Sequence, residues 1–255
     1  MFKSPKSKPI GYDVRVIVSG NVVEVYKYPE TIWRNLQSTS KRSAVTNVSV
    51  ESLDDTLLGE KMDSRAKSNI RARNTLRRLA LANFGNKSKF LTLTFEENMT
   101  DLDKANKEFK RFIRNIKRNL GDFKYIAVIE FQNRGAIHYH VLLDIEVYIP
   151  HEKLEKWWGN GFIRINSIDH VDNIGAYVIK YMTKEDADER LIGKKSYQCS
   201  KNLERPRELI GKNALEYIEK YIESRGIKKA YSNAYKSKLS DEDVLYAEYN
   251  FKRQF

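Results

Sequence analysis

Two histidines near the middle of the 255-residue chain are spaced for joint chemistry. His138 and His140 lie two residues apart in an apolar run, and side chains at that spacing on a β-strand point to the same face. Glu130 lies in a preceding apolar run, and residues 132–135 (Gln-Asn-Arg-Gly) between the runs are typical of a hairpin turn. Strand pairing would bring the Glu130 carboxylate beside the imidazoles. These three ligands predict a divalent-cation site, with Mg²⁺ or Mn²⁺ preferred.

Other interpretations of these residues stay open. A histidine in a strand is commonly a core or surface residue, and a bare His-x-His pattern often arises by chance. Gln132 is an alternative third ligand, since it would share a face with Glu130 in a regular strand. His151 and His170 lie outside the pattern, and we expect His170 to be a helix cap or a surface residue.

Two tyrosines further along the chain have a second spacing that suggests chemistry. Residues 169–184 predict a helix, on which Tyr177 and Tyr181 lie on one face. Lys180 and Lys184 have the same spacing, so each tyrosine has a lysine three residues later. A phenol becomes a nucleophile when a nearby cation favours its phenolate. Because the chain has fifteen tyrosines, the alternative is an amphipathic helix that packs both rings in the core.

The elements that must position these residues form an α+β pattern from residue 89 onward. The predicted order is strand, helix, hairpin, helix, strand and helix, at 89–95, 100–120, 125–143, 151–158, 162–166 and 169–184. A β-α-β-β-α-β core of this kind closes as a central antiparallel sheet with helices packed on it, the ferredoxin-like or RRM-like arrangement.

The flanking regions complete the predicted domain organisation. Residues 1–60 are expected to hold a disordered start, a hairpin at 12–28 that could extend the main sheet at its edge, and a linker. A basic helix is expected within 61–86, capped by Asp63 or Ser64, and the nuclease core within 87–190. Residues 191–255 predict a helical region for packing or oligomer contacts, with helices at 214–224 and 241–251.

Composition narrows the class of partner. The net charge of +12 and a pI near 9.5 imply a polyanion, and nucleic acid is favoured because no apolar run is long enough to cross a bilayer and no signal peptide begins the chain. We therefore expect a cytoplasmic protein. The single Cys199 excludes an internal disulfide and a thiolate zinc cluster. Phosphate contacts are predicted for seven cations: Arg65, Lys67, Arg71, Arg73, Arg77, Arg78 and Arg134.

Three short motifs in sequence order resemble the HUH endonuclease superfamily, specifically the rolling-circle replication initiators of small plasmids and single-stranded DNA phages. Residues 90–95 (Phe-Leu-Thr-Leu-Thr-Phe) resemble its first motif, 138–140 (His-Tyr-His) its metal motif, and 177–184 its Tyr-x-x-Lys-Tyr-x-x-Lys motif. The resemblance covers about residues 85–190. The basic helix before it is similar to a segment that precedes the nuclease core in Gram-positive plasmid initiators.

The resemblance implies an enzyme that nicks and rejoins origin DNA. His138, His140 and Glu130 would hold the metal, while Tyr181 attacks single-stranded DNA and becomes linked to its 5′ phosphate. Tyr177 would be the partner tyrosine, with Lys184 as first choice and Lys180 as second for assistance at the phosphate. The sequence has no phosphate-binding loop of an ATPase, so we expect a host helicase to unwind duplex origin DNA in trans. Alternatives are a transposase or mobilisation relaxase of the same chemistry, and a non-catalytic DNA-binding repressor on an RRM-like fold.

Overall fold

The computed structural model describes residues 9–34, 55–168, 171–182, 189–237 and 241–253, with side chains of the first long helix described from residue 64 onward. The described residues form two compact units. One contains those within Met1–Val45 and Pro206–Phe255, and the other those within Thr46–Arg205.

The chain forms ten strands and five α-helices within the described residues. In chain order they are β1 (Ile10–Ser19), β2 (Val22–Arg34), α1 (Asp55–Asn83), β3 (Lys89–Thr94), α2 (Leu102–Leu120), β4 (Lys124–Phe131), β5 (Ile137–Asp144), α3 (His151–Trp158), β6 (Ile163–Ser167), α4 (Ile174–Ile179), β7 (Tyr197–Cys199), β8 (Arg207–Ile210), α5 (Lys212–Ile218), β9 (Tyr231–Lys236) and β10 (Asp243–Asn250). A 3-10 turn at Glu189–Leu191 and a π-helical turn at Glu219–Glu223 complete the described elements.

The unit within Thr46–Arg205 contains a five-stranded antiparallel sheet in the order β6-β3-β5-β4-β7, here named the central sheet. The order of elements from β3 to α4 confirms the predicted α+β pattern. Its first four strands have the ferredoxin-like order, and β7 adds a fifth strand beside β4. Local signals in the sequence account for α2: the Asp101 side chain accepts bonds from two backbone N–H groups at its start, and Gly121 ends it at φ 83°.

Alternation along β5 divides the core into two layers. Tyr139, Val141 and Leu143 point to one face and belong to a cluster that includes residues of α2 and α3. Leu142 points to the other face and belongs to a cluster that includes residues of α1 and α4. The central sheet is therefore covered by helices on both faces, which explains why β5 is buried at every position before Asp144.

Two predicted helix boundaries differ from the structure. Helix α1 begins at Asp55, so Asp63 and Ser64 lie inside it and do not cap it. Helix α4 spans only Ile174–Ile179 because the Asn173 side chain caps it by accepting from the Ala176 N–H. Tyr181 follows in a tighter turn, with its N–H donating to the carbonyl of Val178. His170 and Lys184 lie outside the described residues.

The other unit contains a second five-stranded antiparallel sheet, β8-β1-β2-β10-β9, here named the terminal sheet. The predicted hairpin forms as β1 and β2, but it belongs to this sheet and does not extend the central sheet. The helix predicted at 214–224 is present as α5 and the π-helical turn. The helix predicted at 241–251 is wrong: this segment is β10, which pairs with β2 and β9 and buries Val244 and Asn250. No described helix is long and apolar enough to span a membrane.

Candidate active site

Strand β5 places both histidines on the face of the central sheet that packs against α1 and α4. His138 pairs with Glu130 of β4 and Thr94 of β3, while His140 pairs with Thr92 one pleat further along. Only 8% of His138 and 4% of His140 is exposed. Two polar rings in such a buried position require specific partners, because burying an unpaired polar group is costly.

Glu130 and His140 are in direct contact. The Nε2 atom of His140 lies 2.5 Å from Oε2 of Glu130, and its Nδ1 lies 3.1 Å from the Thr92 hydroxyl. The hydrogen bond from His140 lowers the pKa of the Glu130 carboxyl, although partial burial opposes that shift. With Glu130 ionised, Nε2 donates to the carboxylate and Nδ1 accepts from Thr92, which fixes the orientation of the ring.

His138 has no such partner at one ring atom. Its Nε2 is buried and makes no hydrogen bond. Burial lowers the pKa of His138, so the ring is held in the neutral form in which a nitrogen lone pair can bind a cation. A buried polar atom without a partner costs about 1–3 kcal/mol, which a bound ion would relieve.

The predicted metal ligands are only partly assembled. Glu130 and His140 meet, but among the residues that the structure describes no three His, Cys, Asp or Glu side chains are grouped closely enough to hold a metal ion. His138 lies on the same sheet face without joining the pair. The donor chemistry nevertheless fits a divalent cation, because the free Nε2 of His138 is left beside an anionic carboxylate and a second imidazole.

The structure brings the two tyrosines to this face. The ring of Tyr181 stacks on His140, with 3.9 Å between ring centroids and 25° between ring planes. Phe90 of β3 supports both tyrosine rings, at centroid distances of 4.9 Å for Tyr177 and 5.2 Å for Tyr181. The two hydroxyl oxygens are 3.4 Å apart. The aromatic cluster thus joins the tyrosine segment to the histidine hairpin.

Lys180 supplies a positive charge to both phenols. Its Nζ lies 3.9 Å from the ring centroid of Tyr177 and 4.8 Å from that of Tyr181, within the range of cation–π contacts. Burial and the neighbouring Tyr181 raise the pKa of Tyr177, while Lys180 and Arg164 oppose that rise. Of the two predicted lysines, Lys180 is the one whose position is described.

A glycine sets the depth at which the tyrosine segment lies. Helix α4 packs on α1 at Gly175, and a Cβ atom there would lie 2.6 Å from the backbone oxygen of Arg77 and 2.9 Å from Cγ of Leu81. A side chain would therefore push α4 away from α1. Since Tyr177 and Tyr181 follow directly, this close approach helps determine their distance from His140.

A cavity of about 590 Å³ opens beside Tyr181, between β6 and α4. Its lining includes three polar residues that the sequence did not single out for a role: Thr92, Arg164 and Asn166. Arg164 pairs with Thr92, and Thr92 pairs with His140, so the three form a row across the sheet. Alternation predicted the strands but not this row, because the register between distant strands is absent from any local pattern.

The cations predicted to contact DNA differ in exposure. Lys67 and Arg71 on α1 and Arg134 in the hairpin turn are exposed, whereas Arg73, Arg77 and Arg78 are half-buried. Arg65 is only 8% exposed, and its Nη1 donates to the Lys194 carbonyl at 3.2 Å. In this position its guanidinium ties α1 to the segment before β7.

The remaining candidates lie apart from the tyrosines. Nε2 of His151 contacts the backbone oxygen of Ile163 at 2.8 Å, which joins α3 to β6. Gln132 is in the hairpin turn, where its backbone N–H donates to the Ala136 carbonyl.

Comparison with known proteins gives one family. Residues 88–186 match the family of the replication-associated protein ORF2. No curated protein matches the chain. A solved structure that matches is a hydrolase from Listeria innocua, 9% identical, with 64% of this chain and 86% of that chain covered. Its TM-score of 0.19 is too low to bear on fold or function.

The family match covers the same part of the chain as the three motifs and contains both histidines and both tyrosines. Residues 88–186 are a domain of the replication-associated protein ORF2 family, consistent with a rolling-circle replication initiator.

Proposed function

We propose that this protein nicks and rejoins single-stranded DNA at a plasmid or phage origin through a tyrosine-linked intermediate, and so starts and ends rolling-circle replication. The observation that carries the proposal is the stacking of Tyr181 on His140 at 3.9 Å, which puts a phenol next to a buried imidazole–carboxylate pair. The replication-associated family supplies the biological setting.

The reaction follows from attack by a phenol on a phosphodiester. The Tyr181 oxygen forms a bond to phosphorus as the bond from phosphorus to the 3′ oxygen breaks. The phenol loses its proton and the departing 3′ oxygen gains one, which leaves a 5′-phosphotyrosine and a free 3′-OH. Rejoining reverses these steps, since a 3′-OH attacks the phosphotyrosine and releases Tyr181.

Tyr181 is our choice of nucleophile because its ring contacts His140 directly. Tyr177 lies 3.4 Å away at its hydroxyl and has a raised pKa, so its phenolate is the less accessible of the two and it serves as partner. Lys180 lies over both rings and would stabilise negative charge on either oxygen. Lys184 stays a prediction.

We propose His138, His140 and Glu130 as ligands of a divalent cation, Mg²⁺ or Mn²⁺. The support is the unpartnered buried Nε2 of His138, next to a carboxylate that His140 keeps ionised. When bound, such an ion supplies Lewis-acid stabilisation of charge on the phosphate oxygens. Thr92 orients His140 through its hydrogen bond to Nδ1, and Glu130 holds the opposite side of the ring.

Affinity for DNA is proposed to come from the basic surface. Lys67 and Arg71 on α1 are exposed, and Arg134 lies in the turn that joins the two strands of the metal-binding hairpin. Contacts of this type bind phosphates without reading sequence, and they make binding depend on salt concentration.

The test is the formation of a covalent protein–DNA product. The protein is incubated with a labelled single-stranded oligonucleotide of the origin and Mn²⁺, and products are separated on a denaturing gel. We expect protein-linked label with the wild type, none with Tyr181→Phe, and an unchanged amount with Tyr148→Phe, a control at a tyrosine that is 85% exposed.

Two outcomes would contradict the proposal. Linkage that persists in the Tyr177→Phe, Tyr181→Phe double variant would exclude both proposed nucleophiles. Binding of origin DNA by the wild type without any linkage would favour a non-catalytic repressor.

A further inference from the structure

The cavity beside Tyr181 lies along β6, an edge strand of the central sheet. Arg164 is exposed on this strand and stands opposite Thr92, which holds His140 through its hydroxyl. Tyr177 and Tyr181 form the other side of the cavity. The cavity is therefore continuous with the proposed reaction centre.

The lining combines one cation with several hydrogen-bonding groups. The structure records no ion pair for Arg164 with any carboxylate in the described parts of the chain. A guanidinium in this situation suits the oxygens of a phosphate, which it can bind with two parallel hydrogen bonds. Arg164 is also near enough to the phenol of Tyr177 to favour its ionised form.

The other groups suit a nucleobase. Asn166 carries both a donor and an acceptor, as base edges do, and the Ser167 hydroxyl also lines the cavity. The two tyrosine rings offer surfaces on which a base can stack. A volume of about 590 Å³ lies within the range of roughly 300–1,000 Å³ found for small-ligand sites, which admits one nucleotide but not a duplex.

We propose that this cavity is a nucleotide subsite, in which Arg164 binds a backbone phosphate next to the scissile one and Asn166 hydrogen-bonds to the base. The assignment rests on the proposed function for the identity of the ligand as single-stranded DNA. It adds a residue that holds the strand in register with Tyr181 and a residue that selects one base.

The phosphate contact is tested by the salt dependence of binding. Affinity for a single-stranded oligothymidylate is measured across a salt series in the Tyr181→Phe background, where no strand transfer competes. Arg164→Gln should weaken binding about tenfold at low salt and make the slope of log K against log salt shallower by about 0.7. Arg164→Lys should retain the slope, because it keeps the charge, while losing part of the affinity.

The matched control is Arg118→Gln, an exposed arginine on α2, which packs on the opposite face of the central sheet. It should leave both affinity and slope within error of the parent. Thermal unfolding of each variant separates a lost contact from a lost fold. If Arg164→Gln folds and keeps the parental slope, the phosphate assignment is overturned.

The base contact is tested with oligonucleotides that differ at one position at a time. The parent should discriminate between bases at one position by about tenfold, and Asn166→Ala should lose that preference at the same position only. Discrimination that is unchanged in Asn166→Ala would overturn the base assignment.

These binding tests fail separately from the proposed function. A parent that forms no covalent DNA product while Arg164→Gln still flattens the salt slope would remove the nuclease proposal and leave the nucleotide subsite. A parent that forms the product while Arg164→Gln has no effect on binding would do the reverse.

Discussion

The central and terminal sheets have the same number of strands and the same antiparallel pairing, but they use polar side chains differently. In the terminal sheet, charged groups bind one another. Arg15 and Arg34 both contact Glu208, at 2.5 and 2.8 Å, and the hydroxyls of Tyr26 and Tyr246 donate to Glu24. In the central sheet, by contrast, polar groups lie in strands that are otherwise apolar and buried.

The difference separates charges that stabilise a sheet from charges that can bind a ligand. Glu208 is neutralised by neighbouring strands, so its interactions are complete within the terminal sheet. His138 leaves a buried nitrogen without a hydrogen bond, and Arg164 is exposed at the cavity edge. Such incomplete groups are destabilising or neutral in the free protein and gain partners only when a ligand arrives.

The largest expected effect concerns the unpartnered histidine. His138→Ala should reduce DNA cleavage by more than about a hundredfold, because it removes a proposed metal ligand, while binding of origin DNA changes little since phosphate contacts supply most of the affinity. Cleavage gels and fluorescence anisotropy measure the two effects.

Ser19→Ala is the matched control, because it removes a buried hydroxyl of the terminal sheet that also has no hydrogen bond. It should leave cleavage unchanged. Loss of binding together with cleavage in His138→Ala would indicate a structural histidine and would end the contrast between the sheets.

The next effect concerns the packing that holds the tyrosines. Gly175→Ala should destabilise the unit that contains the central sheet by about 1–3 kcal/mol, because the new methyl group would overlap the Arg77 backbone. Urea unfolding measures the change. Gly85→Ala is the control, since no atom lies within 4 Å of the added Cβ there. Equal stability of both variants would show that α4 can move away from α1 at little cost.

A smaller effect is expected on the basic surface of α1. The double variant Lys67→Gln, Arg71→Gln should bind duplex origin DNA several-fold more weakly, and its salt slope should be shallower by about 0.9 for each lost phosphate contact. Lys212→Gln on α5 serves as the control, because that lysine is exposed in the other unit. A slope equal to that of the wild type would remove α1 from the DNA-binding surface.

The smallest effect is in the terminal sheet itself. The hydrogen bond from Arg34 lowers the pKa of Glu208 below its value in the unfolded chain, so the folded state favours the ionised carboxylate. That stabilisation is present above about pH 4–5 and is lost as the pH falls through the folded pKa. Since the group is partly exposed, Glu208→Gln should cost only about 1 kcal/mol or less at pH 7.

Unfolding of the wild type and Glu208→Gln in urea, at neutral pH and at about pH 3, measures this effect, and the difference in stability should vanish in acid. Glu216→Gln, at an exposed carboxylate on α5, should show no such pH-dependent difference. A difference that persists in acid would mean that Glu208 acts through packing rather than charge.

The sequence by itself determined the central sheet and most of its site. Residue alternation at 89–95, the Asp101 cap, the Gly121 stop and the His-x-His spacing are local features, and short-range geometry converts each into a strand, a helix boundary or a shared face. The closeness of the tyrosines to His140 agrees with the order of the motifs.

Only the tertiary structure decided how distant segments pair. It joined the two ends of the chain in the terminal sheet, made residues 243–250 a strand where helical spacing also fitted, and buried Arg65 in a helix that looked uniformly exposed. It also placed Arg164 opposite Thr92. Pairing between remote strands depends on register and on which apolar faces meet, and neither quantity is present in the local period of a sequence.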